Sequence, residues 1–230
     1  MSRNQITFTI HADGKADRKT IAVKQLIIAA WTGRDPVARE KHIAELAELG
    51  VPRPASTPAY YRVAAKRLTT DDRIEVSGGN SSGEVEFVLV RTGGSTYVGV
   101  GSDHTDRKVE TYNITVSKQM CDKPIAPDLW DYEDVKWHWD RLILRAWAWF
   151  GGERKVYQEG SVATMLPPDE IVKGFAGEDR LPDETAMYCG TLAARDGIRP
   201  SSRFEYAIED PVLNRRIHHS YDIMELDIVG

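Results

Sequence analysis

Glu84 and Glu86 stand one residue apart at the head of an apolar run, in SSGEVEFVLV (81–90). Residues two apart on a strand point to one face, so the two carboxylates share a face and Val85 takes the other. Carboxylates that close repel, and one takes up a proton unless a cation sits between them. A glycine pair at 93–94 marks a hairpin, and the returning run leads into VGSDHTDRK. If the two runs pair, Asp103 or Asp106 comes back towards the glutamates. Three carboxylates around one point, without the Cys and His spacing of a zinc site, suit a hard, oxygen-preferring ion such as Mg²⁺ or Mn²⁺. A Glu-x-Glu pair also serves as a plain solvated strand face, and that alternative needs no ion.

The elements that must position these residues are short. QITFTI alternates polar and apolar residues and reads as a strand, with a second strand over 19–23 after the ADGK turn. VKQLIIAAWTG reads as a first helix ending at Gly33. Asp35 followed by Pro36 starts a second helix through AREKHIAELAEL, which stops at Gly50 with Pro52 beyond it. The proline-rich connector PRPASTPAYY separates a small N-terminal lobe (1–58) from a β-rich main domain (59–230). There, RIEVSG, EVEFVLVRT and TYVGVGS are strand-like runs bounded by turn residues. DLWDYEDVKWHWDRLILRAWAWFGG reads as a helix with a crowded aromatic face, and the tail returns to strands in AMYCGTLA, RFEYAIED and RRIHHSYDI. The expected class is α+β, dominated by antiparallel strands.

The chain has 230 residues, 41% hydrophobic, with a net charge of −5. That is enough apolar content for a core. The basic residues are scattered and form no stripe with aromatics, so no nucleic-acid partner is expected. Cys121 and Cys189 suggest no disulfide framework and fit a reducing cytoplasm. The polar N-terminus does not read as a signal peptide, and LIIAAW is too short to span a bilayer. A cytoplasmic protein without a membrane partner is the expectation.

The order of these pieces resembles the fumarylacetoacetate hydrolase superfamily over roughly residues 60–230. EVEFVLV matches the family's Glu-x-Glu ahead of an apolar strand. SDHTDR matches its Asn-Asp-x-Ser-x-Arg loosely, with Ser102 in place of Asn, Thr105 on the Ser and Arg107 on the Arg. LPDETAMYCGTLAA is similar to its Gly-Thr-Pro segment, with Leu192 in place of Pro. The resemblance implies a β-sandwich roll with a small N-terminal α/β lobe, and a divalent ion on Glu84, Glu86 and Asp103. It implies Lys123, with Lys118 as the fallback, as the lysine that adds charge or moves a proton. Arg107 would hold a substrate carboxylate or brace the ligands. His104 is a candidate acid/base. Gly190, Thr191 and Tyr61 fall to substrate binding.

What the resemblance implies overall is a homodimeric hydrolase, lyase or hydratase acting on a small 2-oxo acid or 1,3-dicarbonyl compound through an enolate-like intermediate. The family's lid carries a His-x-x-Glu pair, and here that spacing occurs only at His42 and Glu45 on the second helix, where a solvated face is the plainer reading. Ser102, Leu192 and the missing lid histidine motivate the alternative of a non-catalytic small-molecule-binding or assembly protein with the same fold.

Overall fold

The computed structural model describes residues 4–48 and 53–229. Its first third holds β1 (Asn4–Ala12), β2 (Lys15–Val23), β3 (Gln25–Ala30), α1 (Pro36–Glu48), β4 (Ala59–Val63), β5 (Leu68–Thr69) and β6 (Arg73–Ser77). The middle holds β7 (Ser81–Ser82), β8 (Val85–Thr92), β9 (Ser95–Ser102), β10 (Thr105–Asp106), α2 (Arg107–Glu110), α3 (Ile114–Met120), β11 (Lys123–Pro124), β12 (Asp128–Asp131) and α4 (Tyr132–Val135). The remainder is β13 (Ile143–Phe150), β14 (Glu153–Ser161), α5 (Pro168–Ala176), β15 (Thr185–Thr191), β16 (Arg203–Asp210) and β17 (Arg215–Leu226). The fold is mixed and mostly strand, as the alternating runs predict.

Eight strands form one sheet in the order β2-β1-β12-β9-β8-β15-β3-β4, which curls into a half-barrel. Residues 1–58 therefore supply strands to the same sheet as the carboxylate-bearing hairpin. Most neighbours are antiparallel, but β1 with β12 and β3 with β15 are parallel. A second sheet runs β14-β13-β16-β17-β6. Alternation on β8 divides its side chains between two cores: Val85, Phe87 and Leu89 pack with Leu144, Tyr157, Phe204 and Tyr221 of the second sheet. Val88 and Val90 face a separate core on the other side of the sheet, among Phe8, Ile28, Leu129 and Tyr188.

Of two helices predicted from the sequence, one is a strand and the other is broken into strands and short helical turns. LIIAA lies in β3, where Leu26, Ile27, Ile28 and Ala29 are all buried. An apolar run covered on both faces has no period to distinguish it, and parallel pairing with β15 settles it as strand. The tryptophan-rich segment is divided into β12, α4, a 3-10 segment over Lys136–Arg141 and β13. In β13 the period is two: Leu144, Ala146 and Ala148 are buried, while Arg145, Trp147 and Trp149 face outward. Trp139 is buried and Trp137 is 84% exposed, and both lie on the 3-10 turn rather than on an α-helix.

The second helix forms as predicted. Asp35 accepts from the Val37 and Ala38 amides, and Pro36 opens the first turn. Its expected stop at Gly50 and Pro52 falls outside the described residues, as does the His42 side chain. Among the described residues no helix is long and apolar enough to cross a membrane.

Candidate metal centre

The site is built on the β8–β9 hairpin. Gly93 and Gly94 turn it with positive φ, and the register sets Val85 opposite Ser102 and Glu86 opposite Gly101. One step beyond, the Asp103 amide donates to the Glu84 carbonyl at 3.0 Å. Glu84 itself lies just before β8, in the link from β7. The three acidic side chains converge: one oxygen from each of Glu84, Glu86 and Asp103 lies within 4.8 Å of the others. Oxygens on opposite sides of a Mg²⁺ or Ca²⁺ ion stand about 4–5 Å apart, so the span fits a divalent ion.

Far along the chain but next to β8 in the sheet, β15 reaches back to this point. Its register on β8 shifts between Tyr188 and Thr191, and the shift frees the Gly190 amide to donate to Glu86 Oε2 at 2.7 Å. Glu86 is buried and, among the described residues, has no cation within ion-pair distance. Burial first, then repulsion from Asp103, raises its pKa well above the ordinary carboxylate range. A cation at the triad offsets that cost. The residues present therefore fit a divalent ion.

Gly101 brings in the lysine. A Cβ there would stand 2.7 Å from both the Pro124 carbonyl and the Tyr188 ring. Without one, β11 crosses close to β9, and the Tyr188 hydroxyl donates to the Lys123 and Pro124 carbonyls. Lys123 is fully buried. Its Nζ lies 3.2 Å from Asp103 Oδ1 and donates to the His104 carbonyl. Burial lowers its pKa, outweighing the pull of Asp103.

Lys118, from α3, pairs with the other Asp103 oxygen, Oδ2, and is also buried. Burial pushes the Asp103 pKa up, but Lys118 and Lys123 together pull it below the ordinary range. Sequence reasoning named the two lysines as alternatives; the structure brings both to one carboxylate.

Arg107 braces the glutamate side. Its Nε donates to Ser82 Oγ at 2.7 Å, its Nη1 to Glu110 at 2.9 Å, and its Nη2 stands 3.4 Å from Glu84 Oε1. Burial opposes its charge, but Glu84 and Glu110 hold its pKa above the ordinary value. Thr105 Oγ1 donates to the Asp103 carbonyl at 3.1 Å.

His104 is turned into the core. Nδ1 shares a hydrogen bond with the Tyr221 hydroxyl and Nε2 with Ser81 Oγ, both at 2.8 Å. Burial, then Lys123 and Arg107, lower its pKa well below the usual histidine value. Thr191 Oγ1 donates to the Val85 carbonyl and accepts from Gln158 Nε2, both at 2.8 Å. Tyr61, on β4, packs against the core that holds Val88 and Tyr188. It lies three strands from Glu86 across the sheet.

Two residues that hold the site, Gln158 and Tyr221, carry no local sequence signal, and Ser102 stands out in the sequence only as a departure from the family's Asn. Gln158 clamps Val85 and Thr191 from β14, Tyr221 reaches from β17, and Ser102 Oγ accepts from the Glu84 amide at 3.3 Å.

Residues 29–221 match a family model described as "Protein of unknown function (DUF2848)". The chain belongs to this family. No curated protein matches the sequence. Solved structures place the DUF2848 chain among fumarylacetoacetate hydrolase folds. Yeast ynq8, a fumarylacetoacetate hydrolase family protein, superposes with a TM-score of 0.64 at 13% identity, covering 90% of this chain and 97% of its own. A 2-keto-3-deoxy-D-arabinonate dehydratase complexed with magnesium and 2,5-dioxopentanoate gives 0.62 at 16%, covering 92% and 78%. Cg1458 with inhibitor gives 0.65 at 15%, covering 93% and 84%. At these identities the likeness speaks for the fold, and it agrees with the resemblance read from EVEFVLV and SDHTDR.

Proposed function

We propose that this DUF2848 protein is a divalent-metal-dependent enzyme acting on a small 2-oxo acid or 1,3-dicarbonyl compound. The observation that carries the reading is the convergence of Glu84, Glu86 and Asp103 to within 4.8 Å, with Glu86 buried and unpaired to any cation among the described residues. A structural relative is described as a dehydratase complexed with magnesium and a dioxopentanoate, which supports the same metal and substrate class here.

Mg²⁺ or Mn²⁺ held by the three carboxylates supplies Lewis-acid stabilisation of enolate-like charge on the substrate. The chain's own residues do the rest. Gly190 orients Glu86 through its amide, and Arg107 holds Glu84 in place. Lys123, anchored by the His104 carbonyl, keeps positive charge beside Asp103. Lyase or hydratase chemistry fits better than water-driven C–C hydrolysis, since the only lid-type His-x-x-Glu spacing is that of His42 and Glu45. A second reading, a binding protein without turnover, is favoured by one observation: both Asp103 oxygens are already paired with lysines.

Thermal unfolding with Mg²⁺ and Mn²⁺, on wild type and Glu86→Gln, tests the metal. At one hundred times Kd a native-state ligand adds about 2.7 kcal/mol. For a chain of this size that is a rise in Tm of about 5–10 °C. The rise is expected in wild type and not in the variant; no response in either defeats the metal reading. Consumption of a 2-oxo acid by the loaded protein, against recovery of the compound unchanged, then separates enzyme from binding protein.

A further inference from the structure

We propose that Lys118 is the ammonium group that a divalent ion displaces from Asp103, and that the displaced ammonium holds the carboxylate of the substrate. This rests on the metal reading above and names a specificity residue for that site.

Asp103 has two oxygens and each is taken by a lysine, Oδ1 by Lys123 and Oδ2 by Lys118. An ion on the triad takes an oxygen of Asp103, and an ammonium held at that carboxylate then stands against a dication, so the more mobile of the two lysines is the one to give way. The two lysines are not equally free to do so. Lys123 is fully buried, and its Nζ is also held by the His104 carbonyl. Its backbone is fixed on both sides, by pairing of β11 with β5 and by the Tyr188 hydroxyl. Lys118 keeps a sliver of exposure, 4%, and its hydrogen bond to Asp103 is its single polar contact among the described residues. Its stem rises from a seven-residue helix that exposes Thr115 and Val116, and four rotatable bonds let the head swing.

Electrostatics gives the swing a direction. Without an ion, Lys118 answers the charge of Asp103 and feels that of Glu84, Glu86 and Glu110. With a dication on the triad, the charges of Asp103, Glu84 and Glu86 are met and the ammonium is repelled, while Glu110 is already paired with Arg107. A buried ammonium without a partner is costly, so the loaded site favours an anion beside Lys118. The carboxylate of a 2-oxo acid supplies that anion next to the carbonyl that the ion polarises. Metal and substrate then bind in order, each improving the fit of the next.

The test measures Mn²⁺ binding by electron paramagnetic resonance, and then oxalate binding to the Mn²⁺-loaded protein by calorimetry. It compares wild type with Lys118→Met, and with Lys118→Gln in case the first variant does not fold. A lysine that competes with the ion predicts at least tenfold tighter Mn²⁺ binding in the variants, and at least tenfold weaker oxalate binding. A lysine that merely orients Asp103 predicts weaker Mn²⁺ binding in the variants. That result, or unchanged oxalate affinity, overturns the proposal and leaves the metal reading standing. Absence of Mn²⁺ binding in wild type and variants alike overturns both.

Discussion

The backbone amide of Gly190 donates to the Glu86 carboxylate at 2.7 Å, and this bond joins the end of β15 to the start of β8 where their ladder slips. The slip is possible because residue 190 has a φ of +101°. It is also crowded: Thr32 donates to the neighbouring Cys189 carbonyl at 3.1 Å and fills the space where a side chain would go.

Gly190→Ala should therefore be severe. Its Cβ would stand 1.8 Å from Thr32 Oγ1, in a backbone region that L-residues avoid. Overpacking and backbone strain together are expected to cost about 3 kcal/mol or more. Urea unfolding measures this. A cost below about 1 kcal/mol would mean that the bulge relaxes freely.

Tyr221→Phe tests the polar chain behind the carboxylates. Ser81, His104, Tyr221, Ser102 and the Glu84 amide are linked in series inside the core. Removing one hydroxyl leaves His104 Nδ1 and Ser102 Oγ each short of a partner, while the ring still fits. The expected loss is about 1–3 kcal/mol in equilibrium unfolding. Mn²⁺ affinity should fall with it, because the residues released flank Glu84 and Asp103. Unchanged stability and affinity would show that the chain does not position the site.

Asp210 gives a pH dependence away from the site. Its buried carboxylate accepts from His138 and the Val212 amide at 3.0 Å, the Leu213 amide at 3.1 Å and Arg215 at 3.2 Å. Burial alone would raise its pKa, but these donors, His138 foremost, hold it below the ordinary value. The native state thus binds this proton less readily than the unfolded chain. The stability it contributes is fully present above the unfolded value of about 3.9 and is lost as pH falls through the lower folded value. Asp210→Asn should cost about 1–3 kcal/mol near neutrality. The gap from wild type should close in acid, as measured by urea unfolding from pH 7 to pH 3. A gap that does not change with pH would sink this account.

The carboxylate cluster was legible in the sequence because its geometry is local. A spacing of two, a glycine-pair turn and an acidic return bring Glu84 and Glu86 together with Asp103 or Asp106, and the family resemblance singles out Asp103; Glu84 itself lies just before the strand. The framework was legible where period and turn chemistry agree, as in β1, β8, β9 and β16. It was misread where burial erased the period. Ile27 and Ile28 point into different cores from one strand, so LIIAA looks the same as a buried helix. In the tryptophan segment, Trp137, Leu142, Ala146 and Phe150 imitate helical spacing, although ILRAWAWF also alternates. Gln158 and Tyr221 could not be found because their partners lie 73 and 117 residues away in the chain.

The parallel pairing of β3 with β15 has a consequence for synthesis. β3 is complete at residue 30, but the strand that covers one of its edges begins at residue 185. During translation, LIIAA must wait with that edge open, a ready template for wrong pairing. The same wait holds Glu86 without its amide until Gly190 emerges. The carboxylate cluster is therefore among the last parts of the molecule to be finished, and a chain truncated before residue 185 cannot complete it.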